Sequence, residues 1–119
     1  LIEEAWRFKQ QMGGAFRQSG IVAAGCLYAL DHNVERLAED HENARLLAGG
    51  LAELGCDVVA PETNIVIFAA PAGFVEAMGE RGVELSGTPD GRTRAVTHLD
   101  VGRADVERAL REAGSVLLA

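Results

Sequence analysis

Residues Cys56 to Ala69, CDVVAPETNIVIFA, decide the fold class. Cys56-Asp57-Val58-Val59 and Asn64 to Ala69 are short runs rich in β-branched residues, which suit a pleated, half-buried surface, and Ala60-Pro61-Glu62-Thr63 separates them. The spacing predicts two neighbouring strands. Downstream, Phe74 to Arg81 reads as a short helix closed by Gly82, and Val83-Glu84-Leu85 as a strand. Thr88-Pro89-Asp90-Gly91 is turn chemistry, because proline presets one backbone angle and glycine accepts a positive one. Arg92 to Leu99 (RTRAVTHL) alternates as a strand does, and Ala104 to Leu118 has the pattern of an amphipathic final helix.

Working upstream, Val34, Leu37, Ala38, His41, Ala44, Leu47, Ala48 and Leu51 follow the i, i+3, i+4, i+7 template, with Glu35, Arg36, Glu39, Asp40, Glu42 and Arg45 on other faces. That helix should stop near Gly55, which can take the left-handed conformation that ends helices. Leu1, Ala5, Phe8 and Met12 mark an earlier helix broken by Gly13-Gly14. From Phe16 to Leu30 the chain is apolar almost all round, as expected of a helix buried between domains or subunits. Asp31-His32-Asn33 marks a kink or a new helix start. Helices followed by strand, strand, helix, strand, strand and helix give an α+β fold, a small and mostly antiparallel sheet covered by helices. Residues 1–32 are expected to be boundary helices and residues 33–119 a small domain.

The 119 residues suffice for one domain with a core, and 48% hydrophobic content is ordinary for a globular protein. Eighteen acidic against eleven basic residues, net charge −7 without a basic cluster, argue against nucleic acid or an anionic membrane as partner. No apolar run reaches the roughly 18 to 20 residues needed to span a bilayer. A cytoplasmic setting is expected, with a small molecule or another protein chain as partner. Cys26 and Cys56 lie in apolar surroundings without a C-x-x-C pair and read as buried free thiols. The chain opens at Leu1 inside a helical pattern, which is expected of a piece of something longer.

Candidate chemistry is sparse. His32 and His41, about two and a half helical turns apart, would face opposite ways on a continuous helix and could not share a metal, so no metal site is expected. His41 falls on the apolar stripe as a packed histidine would, and His98 sits near a strand end, where it either packs or supports a cleft. The glycine-rich segment Gly13 to Gly20 lacks the spacing of a P-loop or of a dinucleotide-binding turn. What remains is Arg17, near the amino end of an apolar helix where free amides and the helix dipole favour an anion. The alternative is an arginine neutralised by an internal carboxylate. Arg94 poses the same choice: it shares a strand face with Arg92, Val96 and His98, among apolar neighbours, and either a structural salt bridge or a substrate carboxylate would satisfy it.

The string MGGAFRQSGIVAAGCLYALDHNVERLAEDHENARLLAGGL (12–51), followed by TNIVIF (63–68) and RAVTHLDV (94–101), resembles the carboxy-terminal part of the low-specificity L-threonine aldolases. These are pyridoxal-phosphate enzymes of the aspartate-aminotransferase fold type. The resemblance covers nearly the whole chain and implies the C-terminal small domain of such an enzyme. It matches Arg17 to the arginine close to the cofactor phosphate and subunit boundary, and Arg94 to the arginine that binds the substrate α-carboxylate. It places no catalytic residue in this chain. The lysine that attaches the cofactor, the aspartate beside its pyridine nitrogen and its stacking histidine are all implied upstream, and Lys9, the single lysine, does not match.

Three departures from the family pattern stand out: Ala15 for a glycine, Phe16 for a methionine, and Gln10 where many members carry a lysine. The first two alter packing at the turn without removing charge. The activity implied is cleavage of L-threonine or L-allo-threonine to glycine and an aldehyde by a homo-oligomer, a dimer or tetramer, with the isolated chain inactive. A related pyridoxal-phosphate lyase or transaldolase, and a noncatalytic α+β dimerisation domain, are the competing readings.

Overall fold

The computed structural model describes residues 1–14 and 16–118 and divides into two compact units, Leu1–Glu35 and the chain from Arg36 onward. Ala15, one of the departures noted above, lies outside the described residues.

The first unit holds α1 (Ile2–Gln11) and α2 (Gly20–His32). Helix α1 ends where expected, at a turn in which Gly13 takes a φ of 74°. Helix α2 begins at Gly20 rather than Phe16, so Arg17 precedes the helix instead of lying in it. It runs through Asp31 and His32, and the break falls at residues 33–36. Neither helix buries a single side chain. Ile21, Val22, Leu27, Tyr28 and Leu30 of α2 all stand exposed, an apolar surface without cover within this unit. Cys26 is accordingly exposed, contrary to the buried thiol expected from its neighbours. Those neighbours are apolar, but nothing within this unit packs on them.

The second unit contains α3 (Leu37–Glu53), β1 (Val58–Val59), β2 (Ile65–Phe68), α4 (Phe74–Gly79), β3 (Ser86–Gly87), β4 (Thr93–Val96) and α5 (Arg103–Leu117). The four strands form one antiparallel sheet in the order β1-β2-β4-β3. This is the α+β architecture anticipated from the strand and helix pattern. Val66, Phe68, Thr93, Ala95 and Thr97 face the helices and are buried, together with Ala44, Leu47, Ala48 and Leu51 of α3, Phe74 and Met78 of α4, and Val106 and Ala113 of α5. Phe68 and Phe74 meet edge to face, centroids 5.9 Å apart at 88°. Burying large side chains such as Phe68, Leu51 and Met78 contributes about 1.5–3 kcal/mol each, which holds the helices on one side of the sheet.

Two expectations are corrected. Val83-Glu84-Leu85 is not a strand, because the Val83 amide bonds to the Met78 carbonyl at the end of α4 (2.9 Å) and Val83 and Leu85 pack against the core edge; the strand follows at Ser86–Gly87. On α3 the buried stripe begins with Asp40 and Asn43, while Leu37 and Ala38 are exposed. The helix ends as expected at Gly55, whose φ is 89°. Helix α5 starts where the Asp105 carboxylate accepts the Gly102 amide at 3.0 Å, satisfying one of the open donors of the first turn.

Candidate functional site

Strand parity places Arg94. With Thr93, Ala95 and Thr97 turned to the core, Arg94 and Val96 face the open side of the sheet. The antiparallel register aligns Val59 with Ile67, Ile67 with Arg94, and Arg94 with Ser86, so Arg94 occupies a row that crosses all four strands. One row on, Ile65 stands opposite Val96. Val59, Ile65 and Val96 are exposed on this face and Ile67 is half-buried, so apolar side chains flank the exposed Arg94 on the β2 side and Ser86 stands opposite it on β3. Among the described residues no carboxylate pairs with Arg94. The internal salt bridge that would have neutralised it is absent from the described ion pairs. Arg92, on the same face, does have an acid: its Nε lies 3.6 Å from Asp90.

The loop before β4 is organised around that acid. Thr88 Oγ1 donates to the Asp90 carboxylate, and the Arg92 amide donates to Thr88 Oγ1 at 3.0 Å. The Thr88 hydroxyl, with the Arg92 charge as a smaller contribution, holds the Asp90 carboxyl below its ordinary range. Glycine at position 91, at a φ of 82°, lets the chain turn back into β4.

Arg17 lies in the turn before α2 and is exposed. It too has no carboxylate partner among the described residues. Ser19, the residue before the helix, makes no side-chain cap, which leaves the first amides of α2, beginning three positions after Arg17, without a side-chain acceptor. That combination can hold a dianion such as a phosphate. Lys9, the one lysine, has its Nζ 4.2 Å over the Trp6 ring on α1. His98 is exposed beyond the end of β4, where its Nδ1 accepts the Asp100 amide at 3.3 Å.

Sequence reasoning missed a buried polar cluster. Thr97, 1% exposed, donates its hydroxyl to the Asp40 carbonyl of α3 at 2.7 Å. The Thr97 amide donates to the Asn64 carbonyl at 3.0 Å, and the Asn64 amide group donates back to the Thr97 carbonyl at 2.6 Å. Asn43 donates to the Val101 carbonyl at 3.1 Å. The Asp40 carboxylate is gripped by both terminal nitrogens of Arg36, at 2.7 and 3.2 Å, and this hydrogen-bonded partner raises the Arg36 pKa further above its ordinary value. The signal for this cluster was available: counting the stripe of Leu51, Leu47 and Ala44 backwards by one turn reaches Asp40.

A cavity of about 320 Å³ is walled by Phe68, Phe74, Met78, Val106 and Ala109 and reaches Val96 and His98 at the end of β4. Arg94 is not among its walls. Among the described residues no group of three metal-ligating side chains forms, and no helix is long and apolar enough to cross a membrane.

Comparison with known proteins gives these positions a context. The low-specificity L-threonine aldolases of Escherichia coli K12 and Escherichia coli O157:H7 are each 43% identical over 106 residues, covering 86% of this chain and 31% of the relative. The probable low-specificity L-threonine aldolase 2 of Arabidopsis thaliana is 36% identical over 120 residues, covering 92% of this chain and 34% of the relative. Overlaps of that extent are too long to leave out Arg94. The chain spans about a third of the length of the curated relatives it matches. The family described as Beta-eliminating lyase matches residues 1–72, from α1 through Arg17 and on past β2, which is more than half of the length, and the chain belongs to that family.

Proposed function

We propose that this chain is the substrate-side portion of a pyridoxal-phosphate-dependent aldolase that cleaves L-threonine or L-allo-threonine to glycine and an aldehyde. The observation that carries the reading is Arg94: a guanidinium on the open sheet face between Ile67 and Ser86, without an acid among the described residues, in a segment shared with proteins named as threonine aldolases. Its role is to bind the substrate α-carboxylate through two parallel hydrogen bonds. That contact fixes rotation about the substrate Cα–N bond and holds the scissile Cα–Cβ bond in the orientation from which it breaks, a positioning effect worth several kcal/mol.

The residues present fit the phosphate end of the cofactor. Arg17 and the open first amides of α2 would hold it. When bound, pyridoxal phosphate supplies the electron sink that lets the Cα–Cβ bond of a β-hydroxy amino acid break. The attaching lysine is assigned outside this chain, which makes the isolated chain inactive. Residues 1–32 act as boundary helices to a large domain and residues 33–119 as the small domain. The exposed apolar surface of α2 is covered by that domain or by a second subunit of a cytoplasmic homo-oligomer.

The family description itself favours one second reading, a β-eliminating lyase acting on the same amino acid. Product analysis separates the two. The full-length enzyme, loaded with cofactor and given L-threonine, should release glycine and acetaldehyde in equal amounts. Release of ammonia and 2-oxobutanoate instead would assign it to elimination.

A further inference from the structure

Strand β4 carries Arg94 but has only four residues, and its outer partner β3 has two. So short a ladder defines register weakly, and register decides everything here, since a slip by one residue would turn Arg94 from the open face into the core. The strand is pinned just beyond its end. Thr97 is fixed in three directions: hydroxyl to the Asp40 carbonyl at 2.7 Å, amide to the Asn64 carbonyl at 3.0 Å, carbonyl to the Asn64 amide group at 2.6 Å. Asp40 is in turn held by the two-pronged contact from Arg36.

We propose that Thr97, clipped by Asn64 and anchored on α3 at Asp40, is a positioning residue that sets where Arg94 presents its guanidinium to the substrate carboxylate. This rests on the carboxylate role given to Arg94 above. A valine of the same shape would fill the space of Thr97 without burying a hydroxyl, so packing alone does not call for threonine. What the hydroxyl adds is direction, a contact from strand to helix that is satisfied in one register only. Thr97 lies three positions beyond Arg94, about 10 Å of strand, and a displacement at the anchor passes along the β-segment to the side chain that must meet a carboxylate with two bonds at once.

The test is a double-mutant cycle in the full-length, cofactor-loaded enzyme, with Thr97→Val, Thr97→Ser and Arg94→Ala read as kcat and KM for L-threonine, alongside the thermal midpoint of each variant. Thr97→Val should raise KM roughly tenfold or more while kcat changes less, because misplacement of an orienting group can cost up to about a hundredfold. Thr97→Ser, which keeps the hydroxyl, should restore KM. In the Arg94→Ala background Thr97→Val should have no further effect on KM, since its only route to the substrate is gone. Should Thr97→Val fail to accumulate as folded enzyme, Asn64→Ala, which removes the clip on the Thr97 carbonyl, enters the same cycle.

Equal effects of the Thr97 or Asn64 change in both backgrounds, or a KM that does not move in the parent, overturn the positioning role while leaving Arg94 in place. An Arg94→Ala enzyme with unchanged KM and kcat overturns the carboxylate assignment itself, and this proposal with it.

Discussion

Two adjacent glycines of α3 give a test in which the structure decides the sign. Gly49 and Gly50 both lie in the helix, and replacing either with alanine should gain about 0.8–1.0 kcal/mol from helix propensity. At Gly49 an added Cβ meets nothing within 4 Å, so Gly49→Ala should keep that gain. At Gly50 the added Cβ would lie 2.5 Å from both methyl carbons of Leu110 and 3.1 Å from its Cγ. With both methyls and the branch carbon in the way, a methyl rotation cannot relieve the overlap, and the whole Leu110 side chain of α5 must move.

Overpacking of that kind costs about 1–3 kcal/mol, which matches or exceeds the propensity gain. Gly50→Ala should therefore be neutral to destabilising by about 2 kcal/mol, and should lie about 1–3 kcal/mol below Gly49→Ala. For a domain of this size each kcal/mol moves the thermal midpoint by about 4–8 °C. Urea unfolding followed by circular dichroism reads the difference directly. Adding Leu110→Ala to Gly50→Ala should recover part of the loss relative to the two single changes. A Gly50→Ala variant as stabilised as Gly49→Ala would refute the close α3–α5 approach.

Other outcomes follow from the same coordinates. Phe68→Ala empties a 1%-exposed position against Phe74 and should cost about 3–5 kcal/mol by the same unfolding assay; a loss under 1 kcal/mol would contradict the core as described. Cys26 is exposed while burial raises the pKa of the half-buried Cys56 thiol, so in the isolated chain a maleimide at neutral pH should label Cys26 first, as mass spectrometry of peptides reads; equal rates would contradict the burial pattern. In the full-length enzyme the same labelling of Cys26 should slow sharply if α2 is covered there. Because the fold lowers the Asp90 pKa, its ionised form strengthens the turn above the ordinary aspartate range, and that support disappears as pH falls through the lowered value. Carboxyl titration by NMR should place Asp90 below a free aspartate, with Thr88→Ala moving it upward; a value at or above the ordinary range would contradict the turn geometry.

Much of the fold was legible because its signals are local. The β-branched runs at Val58-Val59 and Ile65–Phe68, the glycine at 55 and the turn at Thr88–Gly91 each state their conformation within a few residues. The Val83–Leu85 segment misled because its apolar pattern fits a strand or a core edge equally, and the choice was made by a hydrogen bond to the end of α4. The thiol of Cys26 misled for a different reason: apolar neighbours along one helix say that the helix wants cover, not that this chain provides it. Arg94 was placed on its face by strand parity alone, yet the lack of an acid beside it among the described residues could emerge only from the packed sheet. Asp40 and Thr97 stayed hidden because a polar residue on a buried stripe reads as an exception until its partner, more than fifty positions away, is brought beside it.

The central claim is that Arg94 receives the substrate carboxylate, and Arg94→Lys in the full-length enzyme tests it most directly. Lysine keeps the charge but loses the planar two-donor fork. Losing one charge-assisted bond and the fixed angle of the other should cost about 2–4 kcal/mol of transition-state stabilisation, or roughly thirtyfold to a thousandfold in kcat/KM for L-threonine. An Arg94→Lys enzyme whose kcat/KM equals that of the parent would contradict the account.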